Sequence, residues 1–99
     1  MNDVVHLSLG SIIVASERQV STDLANETAI LNLDSGVYYG LNEVGALVWR
    51  EVQHPRSVAD LRDAILKEYD VDPEACIRDL FKVLRDLATA GLVEIRPAA

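Results

Sequence analysis

Ninety-nine residues make one small domain and leave no room for a large catalytic scaffold with a deep cofactor cleft. The chain is 49% hydrophobic and 25% charged, which excludes a disordered polar segment. A formal charge of −7 opposes nucleic acid and anionic lipid, which are held mainly through Lys and Arg.

The texture is β up to about Leu41 and helical beyond Asn42. Met1 to Gly10 reads as a tail or an added strand, and residues 11–99 as the domain. A first extended segment runs from about Ser11 to Leu24, rich in β-branched Ile12, Ile13, Val14 and Val20, with a break near Ser16 to Arg18. Ala25-Asn26-Glu27 reads as a turn, and Thr28 to Leu33 as the second strand. Asp34-Ser35-Gly36 is a hairpin connection, because Asp accepts local backbone bonds and Gly takes a positive φ. Val37-Tyr38-Tyr39-Gly40-Leu41 is the third strand. Short turns between short strands predict an antiparallel meander.

Asn42 predicts the cap of a helix over about Glu43 to Val52, which Pro55 prevents from continuing. Ser57 predicts the cap of a second helix, about Val58 to Tyr69. Asp72-Pro73 opens a third, about Glu74 to Ala90, with Gly91 as its stop. Leu92 to Ile95 has the composition of a short terminal strand. The fold class expected is α+β, in the order β-β-β-α-α-α: a three-stranded antiparallel sheet packed on three helices.

The third helix is apolar on more than one stripe. Ile77, Leu80, Phe81, Leu84, Leu87, Ala88 and Gly91 form the expected core face, yet Cys76, Val83 and Ala90 recur seven apart beside it. Either the helix packs on two sides, or the second strip forms one wall of an open groove. The third strand supplies the other wall. Val37, Tyr39 and Leu41 share one face of it, and Tyr38 and Gly40 the other. At a sheet edge its unpaired backbone groups would accept another strand. The expected groove residues are Val37, Tyr38, Tyr39, Cys76, Leu80, Val83 and Leu87. Asp79 and Asp86, seven apart beside the strip, read either as solvated surface or as polar contacts for a basic peptide.

Nothing in the sequence assembles catalysis. His6 and His54 stand far apart without partners, no ligand set has metal spacing, and no Gly-rich loop cradles phosphate. Cys76 has no activating base in view and reads as a small buried hydrophobe. A single cysteine excludes an internal disulfide. The expectation is a non-enzyme without metal or cofactor. No run approaches the ~20 apolar residues of a membrane span, and the N-terminus lacks a signal peptide's basic start, so the expected location is the cytoplasm.

Two motifs carry a resemblance. Thr28 to Trp49, with Gly36-Val37-Tyr38-Tyr39-Gly40-Leu41-Asn42 at its centre, resembles the PqqD-like family. So does Asp79-Leu80-Phe81-Lys82-Val83-Leu84-Arg85-Asp86-Leu87, followed by Gly91-Leu92. The resemblance implies a winged-helix-like recognition element for ribosomally made precursor peptides. In that family the leader segment adds as a strand to the third strand and packs on the third helix. The Tyr-Tyr and Leu-Asn form is most similar to the stand-alone leader-binding proteins of lasso-peptide biosynthesis. These work beside a leader-removing cysteine protease and a cyclase. The alternatives are a PqqD-type peptide chaperone for a radical enzyme in quinone-cofactor synthesis, a winged-helix DNA-binding regulator, which the charge opposes, and a small enzyme using Cys76.

Overall fold

The computed structural model describes residues 7–24 and 27–98. Most of Met1 to Gly10 and most of the turn expected at Ala25-Asn26-Glu27 therefore lie outside the described residues. The strands are β1 (Ile12–Ala15), β2 (Gln19–Leu24), β3 (Glu27–Asn32), β4 (Tyr38–Leu41), β5 (Arg56–Ser57) and β6 (Val93–Arg96). The helices are α1 (Glu43–Glu51), α2 (Val58–Glu68) and α3 (Pro73–Thr89).

The strands form two antiparallel sheets of three, ordered β5-β1-β6 and β2-β3-β4. The expected meander is the second sheet. The long first segment is shared between both, because the chain turns out of one sheet at Ser16 to Arg18. The Ser16 N–H donates to the Leu92 carbonyl and the Gln19 side-chain amide to the Ser16 carbonyl. β1 instead pairs with β6, Ile13 opposite Ile95, and with the two-residue β5.

Each helix begins where a side chain accepts an otherwise orphaned N–H. Asn42 accepts from Gly45 at 2.9 Å and Asp72 from Ala75 at 2.9 Å. Ser57 and Asp60 form a reciprocal capping box. Gly36 and Gly91 have φ of 75° and 74°, which L side chains adopt only with strain, so the hairpin and the end of α3 both need glycine.

The core joins both sheets to the helices. Ile13, Ile30, Val52, Val58, Leu61, Leu84 and Leu87 are wholly closed to solvent. Each such side chain contributes roughly 1.5–3 kcal/mol by leaving water. The buried face of α3 is Cys76, Leu80, Leu84 and Leu87. Ile77, Phe81 and Ala88, expected in the core, are only half-buried. The Arg85 guanidinium covers Phe81, 5.9 Å from the ring centroid. The face is thus turned by about one residue, since the helix must pack against α2 and β6 together.

Asn32 joins the hairpin to α3. Its amide nitrogen donates to the Ala90 carbonyl at 2.8 Å. Its amide oxygen accepts from Asp34 and Ser35 at 2.8 and 3.1 Å. Those three bonds satisfy a side chain that is nearly fully buried.

Candidate functional site

β4 is an edge strand: it pairs with β3 on one side and, among the described residues, has no neighbour on the other. The register fixes what that edge presents. Ile30 stands opposite Tyr39, and the Asn32 N–H donates to the Val37 carbonyl. Bonded and non-bonded pairs alternate along an antiparallel ladder. Val37, Tyr39 and Leu41 therefore turn their backbone groups toward β3. Tyr38 and Gly40 turn theirs outward, which leaves two donors and two acceptors for an added strand.

α3 runs alongside this edge, tied to it at three levels. At the hairpin, Asn32 holds Ala90. In the middle, Tyr39 faces Asp86: partial burial, then the Asp86 charge, raise the Tyr39 phenol above its usual range, so it stays a neutral donor. At the far end, where β4 passes into α1, Asn42 and Gly45 share a cleft with Asp79 and Val83.

That cleft has a volume of about 320 Å³. Its walls are the first turns of α1, with Val44 and Val48, and the strip Cys76, Leu80 and Val83 of α3; Val71 also lines it. The lining is mostly apolar, with Asp79 the charged group at its edge.

The nine residues singled out from the sequence divide among these places. Cys76, Asp79, Leu80 and Val83 line the cleft. Tyr39 lies within electrostatic reach of Asp86 across the groove between β4 and α3. Tyr38, 72% exposed, contributes the outward backbone and projects its ring to the opposite face of the sheet. Val37 precedes β4 and is 56% exposed rather than packed on the helices, because it belongs to the hairpin. Leu87 has no exposed surface and supports the groove from behind. The sequence pattern missed the α1 wall of Val44, Gly45 and Val48, whose apolar spacing reads equally well as ordinary core.

The chemistry of Cys76 runs against nucleophilic use. Burial, and then the Asp79 charge, raise its thiol above the ordinary range, while Arg62 pulls weakly the other way. A nucleophile needs the opposite shift. Among the described residues no group of His, Cys, Asp and Glu is placed to hold a metal ion. No described helix is long and apolar enough to cross a membrane.

A free strand edge beside a helix with an apolar cleft is the layout of a small peptide-docking domain. The model of the family described as coenzyme PQQ synthesis protein D (PqqD) matches residues 27–93, more than half of the chain. The chain belongs to the PqqD family. It is also similar to the solved structure of TbiB1 in complex with the TbiA(beta) leader peptide. Identity there is 36%, the match covers 82% of this chain and 94% of that one, and the TM-score is 0.76. A lasso peptide synthetase B1 complexed with the leader peptide shares the fold, at 23% identity and a TM-score of 0.71. That match covers 83% of this chain and 96% of the other. No curated protein sequence matches the chain.

Proposed function

We propose that this chain binds the leader segment of a ribosomally made precursor peptide as a fourth strand on β4. It then holds the peptide for a leader-removing cysteine protease and an ATP-dependent cyclase of lasso-peptide biosynthesis, in the cytoplasm where the precursor is made. The observation that carries the reading is the open edge of β4. Its outward Tyr38 and Gly40 backbone groups run beside α3 toward the apolar cleft. The 36% identical TbiB1, solved with a leader peptide, supports it.

Backbone bonds supply affinity in this mode, and pockets for alternate side chains supply selectivity. Tyr39 and the wall of Cys76, Leu80 and Val83 receive the peptide's apolar side chains. Leu80 and Leu87 set the wall's shape from beneath, and Val37 and Tyr38 flank the entry. Asp79 at the far end of the groove and Asp86 at its middle, both exposed, meet basic residues of the leader. The chain does no chemistry on the bound peptide. The family's quinone-cofactor name favours a second reading, a PqqD-type chaperone for a radical enzyme.

The test is titration of labelled leader peptide, using the TbiA(beta) leader and the leader of the precursor encoded beside this chain. Val83→Asp places a carboxylate on the half-buried wall, between Asp79 and Asp86. Affinity should fall at least about tenfold, the equivalent of 1.4 kcal/mol. A folded Val83→Asp protein with wild-type affinity would rule out the groove.

A further inference from the structure

Among the described residues four strands lie at sheet edges: β5 and β6 in one sheet, β2 and β4 in the other. An edge strand offers its N–H and C=O groups to any chain that meets it. Folds blunt such edges by shortness, by proline or by a charge turned inward. β5 is two residues long. β2 carries Asp23 on the core side of its sheet, opposite the buried Thr28, whose hydroxyl donates to it at 3.0 Å. A strand added at β2 would bury that carboxylate, which is costly. Val37 to Leu41, the segment of β4, holds neither charge nor proline.

The register of β6 locates the corresponding device there. The Ser16 N–H donates to the Leu92 carbonyl, while the Ala15 N–H turns the other way, to Val52. Glu94 and Arg96 therefore bond to β1, and Val93, Ile95 and Pro97 turn their backbones outward. The two chains still lie side by side beyond Arg96. The register carries Ala98 opposite Gly10, and a Cβ on Gly10 would stand 2.9 Å from that of Ala98. Pro97 thus sits on the open edge, with its ring where a donor would be. One position earlier, a proline would break the bond to β1 instead.

We infer that Pro97 guards this edge against a second copy of the chain: it keeps β6 from pairing with β6 of another molecule, and leaves β4 as the edge for a guest. That β4 serves a guest rests on the strand-addition reading; the guard itself does not. β6 is its own complement. Antiparallel pairing centred on Ile95 sets Glu94 opposite Arg96 of the second copy, and Arg96 opposite Glu94, with Ile95 against Ile95 at the axis. Glu94 and Arg96 are both exposed and touch only each other, at 3.4 Å. Opposite charges across a strand pair attract, and like charges repel. Pairing centred on Glu94 would set Glu94 against Glu94, so charge selects the Ile95 register. In that register Val93, Ile95 and residue 97 of each copy could form six backbone bonds. Proline removes two of them, and its ring crowds the Val93 carbonyl it faces. The net charge of −7 adds a long-range repulsion that salt screens, whereas Pro97 acts at contact.

The experiment measures self-association by sedimentation at about 0.15 M salt, where charges more than ~8 Å apart are largely screened. Thermal unfolding of each variant is read beside it. The wild type should be a monomer. Pro97→Val restores the donor and should self-associate at least tenfold more tightly than the wild type. Pro97→Ala restores it with the smallest side chain and should do so less strongly. Adding Arg96→Glu to Pro97→Val sets like charges across the pair and should return the protein to monomer. Adding Glu94→Arg as well should restore the association. Labelled TbiA(beta) leader should bind Pro97→Val within about twofold of wild type, because β4 lies in the other sheet. Folded Pro97→Val and Pro97→Ala proteins that both stay monomeric overturn the guard. So does association that ignores the two charge reversals, or a wild type already paired through β6. A wild type that binds no leader overturns the strand-addition reading, while sedimentation still decides the guard.

Discussion

Gly40→Pro separates strand addition from every other way a peptide could lie in this groove. The Gly40 N–H points out of the sheet, so proline there removes no bond to β3. Tyr39 before it is already extended, as a residue preceding proline must be. An edge strand with its N–H toward solvent is where sheets tolerate proline. The folded protein should therefore lose no more than about 1 kcal/mol, or ~4–8 °C in Tm. The bound state loses more. A backbone hydrogen bond contributes about 0.5–1.5 kcal/mol net. The ring removes the Gly40 donor and pushes the incoming strand off the neighbouring Gly40 carbonyl, so two bonds fail. That is about 1–3 kcal/mol, a ~5- to 150-fold rise in Kd. Gly40→Ala is the control. Its Cβ meets nothing within 4 Å and it keeps the N–H, so its Kd should change less than about twofold. The assay is fluorescence anisotropy with labelled leader, beside thermal unfolding. A well-folded Gly40→Pro protein that binds like wild type refutes strand addition at β4.

Two further outcomes follow from named contacts. Asn32→Asp keeps the acceptor for the hairpin but sets a carboxylate against the Ala90 carbonyl at a nearly buried site. It should cost about 2 kcal/mol and ~10 °C in Tm near neutral pH, and less as acid restores a proton that can be donated; a variant as stable as wild type contradicts the pin. Cys76, its thiol raised by burial and by Asp79, carries less thiolate near neutral pH than an exposed cysteine. Its reaction with maleimide should be at least ~10-fold slower than that of a free cysteine peptide, should quicken as pH rises past the ordinary thiol range, and should slow again when leader covers the cleft; equal rates would contradict the shift.

The readable parts of this fold were those fixed by near neighbours in the chain. Asn42, Ser57 and Asp72 cap as expected because each needs only an N–H three residues on. Gly36 and Gly91 stop their elements because φ is a property of one residue. What was not readable depends on distant partners. β5 is two residues long and exists only because β1 lies beside it. The buried face of α3 is turned from Ile77 and Phe81 toward Cys76, and only the packing of other elements determines that rotation. For the site, periodicity found the α3 strip and the strand facing it. The α1 wall of the cleft stayed hidden, since Val44 and Val48 have the same spacing whether they meet the core or a cavity.

The Asn32 amide spans 58 positions of sequence to tie the hairpin to the end of α3. At the other end, β4 runs directly through Asn42 into α1. The strand edge is thus held at both ends, like a rail between two posts. A flexible guest meeting such a rail should carry most of the ordering cost, because the strand that receives it is held in place beforehand. Association should then be limited by how often the free leader becomes extended, while leader substitutions should change residence time more than the rate of capture. Loosening the pin would transfer part of that cost to the host, so an Asn32 variant that still folds should capture its guest more slowly even though Asn32 never touches it.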